Sequence, residues 1–426
     1  MLSRADNDLI TQVGPGTPMG DAMRRYWMPA LLTEELPEPD GAPVRVRLLG
    51  EDLVAWRNTD GSVGLMQNAC PHRGASVFFG RNEESGLRCV YHGWKFDVSG
   101  ACVDMPNEPA ESNFKHKIKA TAYPCEEKGS IVWAYMGPAG TQPPLPSYEW
   151  MRLPDGHMFM SKTFEDCNYL QGIEGGVDSS HSSFLHRNLT NTDPSLGVNG
   201  YRARSTAPRL EVVYRDYGYT YASIRYVKDE DANYVRAYQF VMPFQQQRAG
   251  FIGSARNNSR PAVQGHLWVP IDDTSHWVFN FMYARDGGLL DWADCLKQEH
   301  QTGRGPEDFI PGTYKLLQNS SNDYLIDRQA QKTLSYTGIP GTNTQDVAIQ
   351  ETMGAIYDRT KEHLGTSDSA VIATRRMLLQ AMRDVQAGRA PAGSQGEADG
   401  VRPVEKVLPT SVSWTESMKD ELVAVY

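Results

Sequence analysis

The most regular pattern along the chain is an alternation of apolar and polar residues with a period of two, which predicts β-strands. The pattern is clearest in the middle of the chain, at 220–227, 234–241 and 276–283. Shorter strands are predicted nearer the start, at 44–49, 53–56 and 63–66. Asp60-Gly61 between the last two favours a hairpin turn. Two strand-rich regions are therefore predicted, one on each side of residue 140.

Helical periodicity predicts two helices late in the chain, near 346–363 and 367–387, while 164–189 reads as helical or mixed. The second late helix begins at Ser367-Asp368 and ends at Gly388. Proline and glycine mark 140–147 as a linker. We therefore predict an α+β chain with three parts. They are a lead-in over 1–40 that packs on the second domain, a β domain over 41–140 and a larger domain over 141–426.

Composition excludes several classes of protein. The 426 residues are 40% hydrophobic and 22% charged, which is typical of a globular chain, and the net charge of −10 makes nucleic acid an unexpected partner. The start of the chain lacks a signal-peptide pattern, and no segment is long and apolar enough for a membrane span. Six cysteines in this length do not form a disulfide framework. We therefore expect a cytoplasmic protein.

Four metal-ligand residues stand in two short motifs of the predicted β domain. The motifs are Cys70-Pro-His72 and, after sixteen further residues, Cys89-Val-Tyr-His92. Two thiolates and two imidazoles suit a [2Fe–2S] cluster in which the sulfurs hold one iron and the histidines hold the other. The alternative is a structural zinc site. Each motif here mixes one cysteine with one histidine, whereas zinc fingers group like with like, so the pattern favours the cluster.

A second group of candidate ligands lies in the larger domain, within Asp178-Ser-Ser-His181-Ser-Ser-Phe-Leu-His186. Residues five apart on a regular α-helix point about 140° away from each other. The two histidines can therefore share a metal only if the helix is broken or contains a π-bulge. Asp178 is near enough to His181 to fix the tautomer of its ring by a hydrogen bond. An iron–sulfur cluster upstream favours an electron acceptor here, namely iron(II) held by two histidines and one carboxylate.

The carboxylate of that second site has to come from elsewhere in the chain. Asp358 is our choice, and Asp346 and Glu351 are competitors on the same predicted helix. Spacing alone does not separate the three.

Together the two motifs resemble those of the Rieske non-haem iron aromatic-ring oxygenases, in their large catalytic subunit. The family pattern acid-x3-Asp-x2-His-x4-His is matched by Glu174, Asp178, His181 and His186, and Asp358 falls where the family places its third iron ligand. Within the family, the chain is most similar to the phthalate 4,5-dioxygenase and chlorobenzoate dioxygenase group. The lead-in motif 14–20 and the segment 345–354 support that placement.

The resemblance implies an antiparallel Rieske β domain and a catalytic domain whose curved antiparallel sheet and helices surround a mononuclear iron. It also implies a ring of three subunits, or two stacked rings, in which Asp178 links His92 of one subunit to His181 of the next. Electrons are expected from a separate flavin and iron–sulfur reductase that oxidises NADH, because no dinucleotide-binding motif is present. The expected reaction with O2 is cis-dihydroxylation of an aromatic carboxylic acid.

Substrate-binding residues are harder to predict. An aryl carboxylate requires a cation near an otherwise apolar pocket. Six strand-region arginines are candidates, of which we favour Arg225 and Arg236: Arg202, Arg204, Arg209, Arg225, Arg236 and Arg248. By similarity, Asn168 and Gln171 are also expected near the iron.

Two other functions remain open at this stage. One is monooxygenation by the same iron, such as O-demethylation of a methoxybenzoate. The other is an electron-transfer protein that carries only the cluster, although such a carrier needs little more than residues 40–140.

Overall fold

In the computed structural model, the described residues are 2–109, 111–190, 200–202, 205–250 and 262–424. The chain forms two compact units. The small unit is Val13–Leu145, and the large unit is Met1–Gln12 together with Pro146–Tyr426. Arg204, one of the candidate arginines, lies outside the described residues. None of the helices in the described ranges is both long and apolar enough to cross a bilayer.

The predicted lead-in over 1–40 is divided between the units. Helix α1 (Arg4–Thr11) belongs to the large unit, whereas α2 (Pro18–Met23) and strand β1 (Trp27–Leu32) belong to the small one. All six residues of β1 are buried, and the strand pairs antiparallel with the segment 131–135. These ladder hydrogen bonds are why the prediction that all of 1–40 packs on the larger domain is wrong.

Besides β1, the described residues of the small unit form the strands β2 (Val44–Leu48), β3 (Glu51–Arg57), β4 (Val63–Gln67), β5 (Arg81–Asn82), β6 (Leu87–Arg88), β7 (Lys95–Phe96), β8 (Cys102–Asp104), β9 (Cys125–Lys128) and β10 (Ile131–Tyr135). They make three antiparallel sheets, with the orders β2-β3-β4, β5-β6-β7-β8 and β1-β10-β9. Strands β2 to β4 are the three short strands predicted from the sequence.

One core cluster of the small unit is built around its two motif cysteines. Cys70 and Cys89 pack with Val54, Trp56 and Phe96, all of them buried. The burial of this apolar surface stabilises the unit and also removes both thiols from water.

The large unit is organised by an antiparallel sheet of eight strands. They are β11 (Met158–Glu165), β12 (Arg209–Arg215), β13 (Gly218–Val227), β14 (Ala232–Val241), β15 (Gln245–Ala249), β16 (Ala262–Pro270), β17 (His276–Ala284) and β18 (Val404–Pro409). Their order in the sheet is β11-β17-β16-β15-β14-β13-β12, with β18 paired to β14. The three long strands predicted by alternation are found as β13, β14 and β17.

Helices of the large unit carry the candidate site. Besides α1, the helices of this unit in its described residues include α3 (Tyr169–Val177), α4 (Trp292–Thr302), α5 (Arg328–Thr333), α6 (Thr342–Thr352), α7 (Ser369–Gln386) and α8 (Trp414–Ser417). Helix α7 agrees with the prediction over 367–387. The helix predicted over 346–363 is shorter than expected, because Gly354 takes a φ of 92° just after α6.

Helix α3 lies close against the sheet because two of its three glycines face the sheet. A Cβ at Gly176 would stand 2.1 Å from the indole of Trp268 on β16, and one at Gly172 would stand 2.5 Å from the same ring. Glycine at both positions therefore permits the close approach. This contact fixes the helix whose end leads into Asp178 and the two motif histidines.

Candidate metal centres

The two motif loops of the small unit share one backbone design. The N–H of Gly74 donates to the carbonyl of Cys70 at 2.8 Å, and the N–H of Gly93 donates to that of Cys89 at 3.0 Å. Both glycines adopt positive φ, 75° and 77°, which other residues rarely tolerate. The glycine that follows each motif therefore closes a tight turn that presents one thiol and one imidazole.

The four side chains of these loops converge. The rings of His72 and His92 lie 4.3 Å apart between centroids, and His72 stacks on Trp94 at the same separation. Both thiols are buried, and Nδ1 of His72 is buried without a hydrogen-bond partner in the described part of the chain. Burial, with a smaller contribution from the adjacent Cys89 thiol, raises the pKa of Cys70 to about 11. Two buried sulfurs and an unpaired imidazole nitrogen fit the ligand set of a [2Fe–2S] cluster.

A second convergence lies in the large unit, where three side chains form a triad. Nε2 of His181 is 3.3 Å from Nε2 of His186. Oδ1 of Asp346 is 3.3 Å from Nε2 of His186 and 3.6 Å from Nε2 of His181. These three atoms are close enough to bind one metal ion together. Two imidazoles and one carboxylate are the ligand set typical of non-haem iron(II).

The two histidines meet because the helix that precedes them ends. Helix α3 stops at Val177, and Asp178 leaves the helical conformation with a ψ of 118°. Its carboxylate then accepts hydrogen bonds from the backbone N–H of Ser180 at 2.7 Å and of His181 at 3.1 Å. A 3₁₀ turn follows over His181–Ser183. Of the two geometries that the sequence left open, the structure has the broken helix.

In each triad histidine, Nδ1 is the ring nitrogen that points away from the triad, and it lies within hydrogen-bond distance of an acceptor oxygen. Nδ1 of His181 lies 3.2 Å from Oδ2 of Asp178, the predicted carboxylate–imidazole contact. Nδ1 of His186 lies 2.9 Å from Oε1 of Gln345, a residue that the sequence reasoning did not identify as part of the site. Both contacts leave Nε2 facing the triad, as expected for metal-bound histidines.

Electrostatics hold these groups in the required ionisation states. Burial alone would raise the pKa of Asp178, but hydrogen bonds from His181 and Ser180 outweigh it and lower the value to about 2. Burial opposes ionisation of Asp346 too, yet the neighbouring His186, His181 and Arg248 lower its pKa. Both carboxylates are therefore anionic at neutral pH.

Asp358 does not reach the triad, so its prediction as the third ligand is replaced by Asp346. Its carboxylate accepts hydrogen bonds from Arg4 at 2.8 Å and from the hydroxyl of Thr360 at 2.7 Å. The reason is the early end of α6, which leaves Asp358 in an irregular segment bound to α1. The other competitor, Glu351, accepts from the hydroxyl of Tyr324 at 2.6 Å.

Asn168 and Gln171 have structural roles, so their predicted position beside the substrate is not supported. The amide of Asn168 donates to the carbonyls of Thr11 and Asp273, at 2.9 and 2.7 Å. Gln171 donates to the carbonyls of Gln350 and Gly354, at 2.9 and 2.8 Å, and its Oε1 accepts from the N–H of Tyr357. Both amides therefore fasten α3 to its neighbours.

Arg225 and Arg236 are buried and bonded within the protein. Arg225 donates to the hydroxyl of Ser183 and the carbonyl of Ser179, each at 3.0 Å, and so supports the segment between Asp178 and His186. Arg236 lies 3.5 Å from the carboxylate of Glu405 and donates to the carbonyl of Ala249. The prediction that Arg225 or Arg236 binds the substrate carboxylate is therefore not supported, because the guanidinium of each is bonded to other groups of the protein.

Arg248 differs from the other candidates. It lies on β15 and, unlike Arg236 with its partner Glu405, forms no ion pair with a carboxylate among the residues that the structure describes, where its Nε is also buried without a hydrogen bond. Burial and the nearby cations of Arg236 and Arg304 lower the pKa of Arg248 to about 9. Arg304 is paired in a bidentate contact with Glu299. Arg248 is therefore balanced only by the more distant charge of Asp346, whose carboxylate already faces the two triad histidines.

Comparison with known proteins agrees with both centres. Residues 26–124 match the Rieske [2Fe-2S] domain, and residues 134–423 match the LigXa C-terminal domain-like family. The chain is 40% identical, over 98% of its length and 94% of the relative's, to the phthalate 4,5-dioxygenase oxygenase subunit of Pseudomonas putida. The chain belongs to the Rieske oxygenases. It is the terminal oxygenase component of such a system and carries a Rieske [2Fe–2S] cluster and a mononuclear iron.

Other relatives of this Rieske oxygenase differ in their named reactions. The 3-chlorobenzoate-3,4-dioxygenase oxygenase subunit of Comamonas testosteroni is 37% identical over 99% of each chain. The 5,5'-dehydrodivanillate O-demethylase oxygenase subunit of Sphingobium is 32% identical over 92% of this chain and 83% of that one. Since such oxygenase subunits are enzymes, the prediction of a cluster-only electron carrier is wrong. Oxygenase subunits of this kind work with O2 and with a separate reductase or ferredoxin.

Solved structures confirm the α+β fold of the Rieske oxygenase. The NdmA QL mutant from Pseudomonas putida CBB5 with theobromine superposes with a TM-score of 0.61 at 19% identity, covering 93% of this chain and 99% of that one. Dicamba monooxygenase bound to dicamba gives a TM-score of 0.58 at 18% identity, covering 86% and 99%.

Proposed function

We propose that this Rieske oxygenase dihydroxylates the ring of an aromatic carboxylic acid. The observation that carries the proposal is Arg248, a cation near the triad carboxylate Asp346 whose Nε has no hydrogen-bond partner in the described ranges. The names of the two relatives at 40% and 37% identity, a phthalate and a chlorobenzoate dioxygenase, support an aryl acid.

The charge balance around Arg248 favours an anionic substrate. A half-buried guanidinium that forms no ion pair is costly, because partial removal from water penalises the charged form. Its neighbours Arg236 and Arg304 add positive charge, while Glu405 and Glu299 pair with those two. A substrate carboxylate beside Arg248 adds to the negative charge of Asp346 and accepts a charge-assisted hydrogen bond.

The cluster, when bound, supplies single electrons, and the iron(II) supplies the centre at which O2 is activated. Cys70, Cys89, His72 and His92 would hold the cluster, and the triad of His181, His186 and Asp346 would hold the iron. Asp178 and Gln345 keep the Nε2 lone pair of each triad histidine turned toward the metal position. Arg248 orients the acid so that its ring, and not its carboxylate, faces that position.

Three finer features of the system belong to the same proposal. The reductase is of the flavin and iron–sulfur type and oxidises NADH, and the oxygenase assembles as a trimer or a hexamer in which Asp178 links His92 of one subunit to His181 of the next. The support for the link is the Asp178 carboxylate, which already bonds His181 and remains partly exposed. A cytoplasmic location stays a prediction.

O-demethylation is the second candidate function, and the 32% identical O-demethylase subunit favours it. The same triad serves both reactions, so the substrate decides between them. One experiment separates the two. The reduced oxygenase is incubated under ¹⁸O2 with phthalates, chlorobenzoates and methoxybenzoates, and the products are identified by mass spectrometry.

The result we expect is a product that carries two labelled oxygens on adjacent ring carbons of a phthalate or chlorobenzoate. A methoxybenzoate that loses its methyl group and gains no ring oxygen would instead support the demethylase.

The variant R248Q should lose turnover of acids, while R209Q serves as the matched control because Arg209 is exposed and pairs with Glu211. Equal turnover of an acid and its methyl ester by the unchanged enzyme would contradict the aryl-acid proposal.

A further inference from the structure

A second set of metal-ligand side chains lies in the large unit and is not used by the triad. Glu165 ends β11 and His276 begins β17, and these two residues are direct partners in the antiparallel register. Cys167 follows two residues after Glu165. The three residues are buried, and one donor atom from each lies within 4.8 Å of the others.

The hydrogen bonding of His276 leaves a lone pair that faces a carboxylate. Its Nδ1 lies 2.7 Å from the carbonyl oxygen of Cys167, so Nδ1 carries the proton and donates it. Nε2 of the neutral ring is then an acceptor, and it lies 3.1 Å from Oε2 of Glu165. Both atoms are buried without a hydrogen bond to any other described residue. A proton between the two atoms would make them an ion pair, whereas a metal ion beside both would satisfy the two acceptors together with the nearby thiol.

We propose that Glu165, Cys167 and His276 bind a structural zinc ion. With zinc bonds of about 2.0–2.1 Å to both atoms, a separation of 3.1 Å corresponds to an angle of about 95–100° at the metal. One carboxylate, one thiolate and one neutral imidazole balance the charge of Zn²⁺. Binding breaks the S–H bond of Cys167 and releases one proton to solvent. The donation from Nδ1 to a carbonyl is the usual support of a metal-bound histidine.

The space needed next to Nε2 is left by a glycine. A Cβ built on Gly172 would stand 2.5 Å from Nε2 of His276. Any larger residue on this turn of α3 would fill the position beside the lone pair. The fourth coordination position is left for a water molecule or for the second oxygen of Glu165, which would make the zinc ion four-coordinate.

The place of this zinc site in the fold suggests what it does. Cys167 immediately precedes Asn168, the residue that caps α3, while Glu165 and His276 belong to two strands of the sheet. The ion would therefore link the start of α3, through Cys167, to the two strands that carry Glu165 and His276. Because α3 leads to Asp178 and His181, loss of this link should loosen the iron triad without changing any of its ligands.

Zinc content of the purified holoenzyme, measured by mass spectrometry separately from iron, tests the site. We expect about one zinc per chain that survives dialysis against a weak chelator. The Zn K-edge spectrum should show one sulfur neighbour at about 2.3 Å among nitrogen and oxygen neighbours at about 2.0–2.1 Å. Since iron does not contribute at this edge, the spectrum reports on this site even if every variant fails to fold.

The variant C167A should lose the zinc, whereas C295A should keep it, because Cys295 is an equally buried thiol in the core beside Phe159 and Met282. Zinc below about one tenth per chain in the unchanged protein, a zinc spectrum without sulfur, or equal zinc in both variants would overturn the proposal. Bound iron that exceeds the two centres and falls with C167A would overturn the assignment to zinc. Failure of the site would leave the aryl-acid proposal intact, because that proposal depends on Arg248.

Discussion

His186 donates a hydrogen bond from Nδ1 to Oε1 of Gln345 across 2.9 Å. The direction follows from the other end of the amide, where Nε2 of Gln345 donates to the carbonyl of Ile339 at 2.8 Å. That second bond fixes which way the amide points, so only its oxygen can face the ring. The tautomer of His186 is thereby set with its lone pair on Nε2, toward the triad.

Replacing Gln345 should weaken retention of the mononuclear iron. Q345L removes the acceptor from Nδ1, and the loss of such a support typically reduces metal affinity about 10- to 100-fold. Iron affinity is measured by titrating the iron-depleted triad while the visible spectrum monitors the cluster. The control is Q380L, since Gln380 is exposed on α7. An unchanged iron affinity in Q345L would show that the hydrogen bond does not support the ligand.

Replacing Asp178 should slow electron transfer between the two metal centres without removing either metal. D178N cannot keep a negative charge beside Nδ1 of His181, so we expect both metals to remain bound while electron transfer from cluster to iron slows. Single-turnover reoxidation of the reduced cluster measures this rate. D327N is the matched control, because Asp327 caps α5 and asparagine caps helices equally well. Reoxidation of D178N at the normal rate would exclude a linking role.

The charge of Arg248 should lower the stability of the ligand-free enzyme, compared with a variant that has a neutral side chain at this position. The pKa of this base is lowered to about 9 by burial and by its cationic neighbours, so between that pH and neutrality the folded state carries a charge that it disfavours. R248Q should therefore raise the Tm of the free enzyme by a few degrees. An aryl acid should raise the Tm of the unchanged enzyme and not that of R248Q. A ligand-induced shift that is equal in both would argue against a carboxylate contact.

The cluster motif could be predicted because its residues are neighbours in sequence. Each loop carries its own cysteine, histidine and closing glycine, and Gly74 and Gly93 adopt the positive φ that such a turn requires. The long strands were predictable for a similar reason, since alternation of side chains is a local property of each strand.

The third triad ligand could not be predicted, because it depends on where one helix ends. Asp346 and Asp358 appeared to lie on one helix, and only the φ of Gly354 shows that α6 has already stopped before Asp358. The role of Gln345 was hidden in the same way, since its partner His186 is distant in sequence. Likewise, only the structure shows that Arg225 and Arg236 are bonded within the protein, whereas Arg248 forms no ion pair among the described residues.

The triad of His181, His186 and Asp346 is proposed to hold an iron that is separate from the Rieske cluster. Counting iron in two carboxylate variants tests this assignment. The unchanged enzyme and D358A should each contain about three irons per chain, two of them in the cluster. D346A should contain about two, with the visible spectrum of the cluster unaltered. A full complement of iron in D346A, together with loss of one iron in D358A, would contradict the triad.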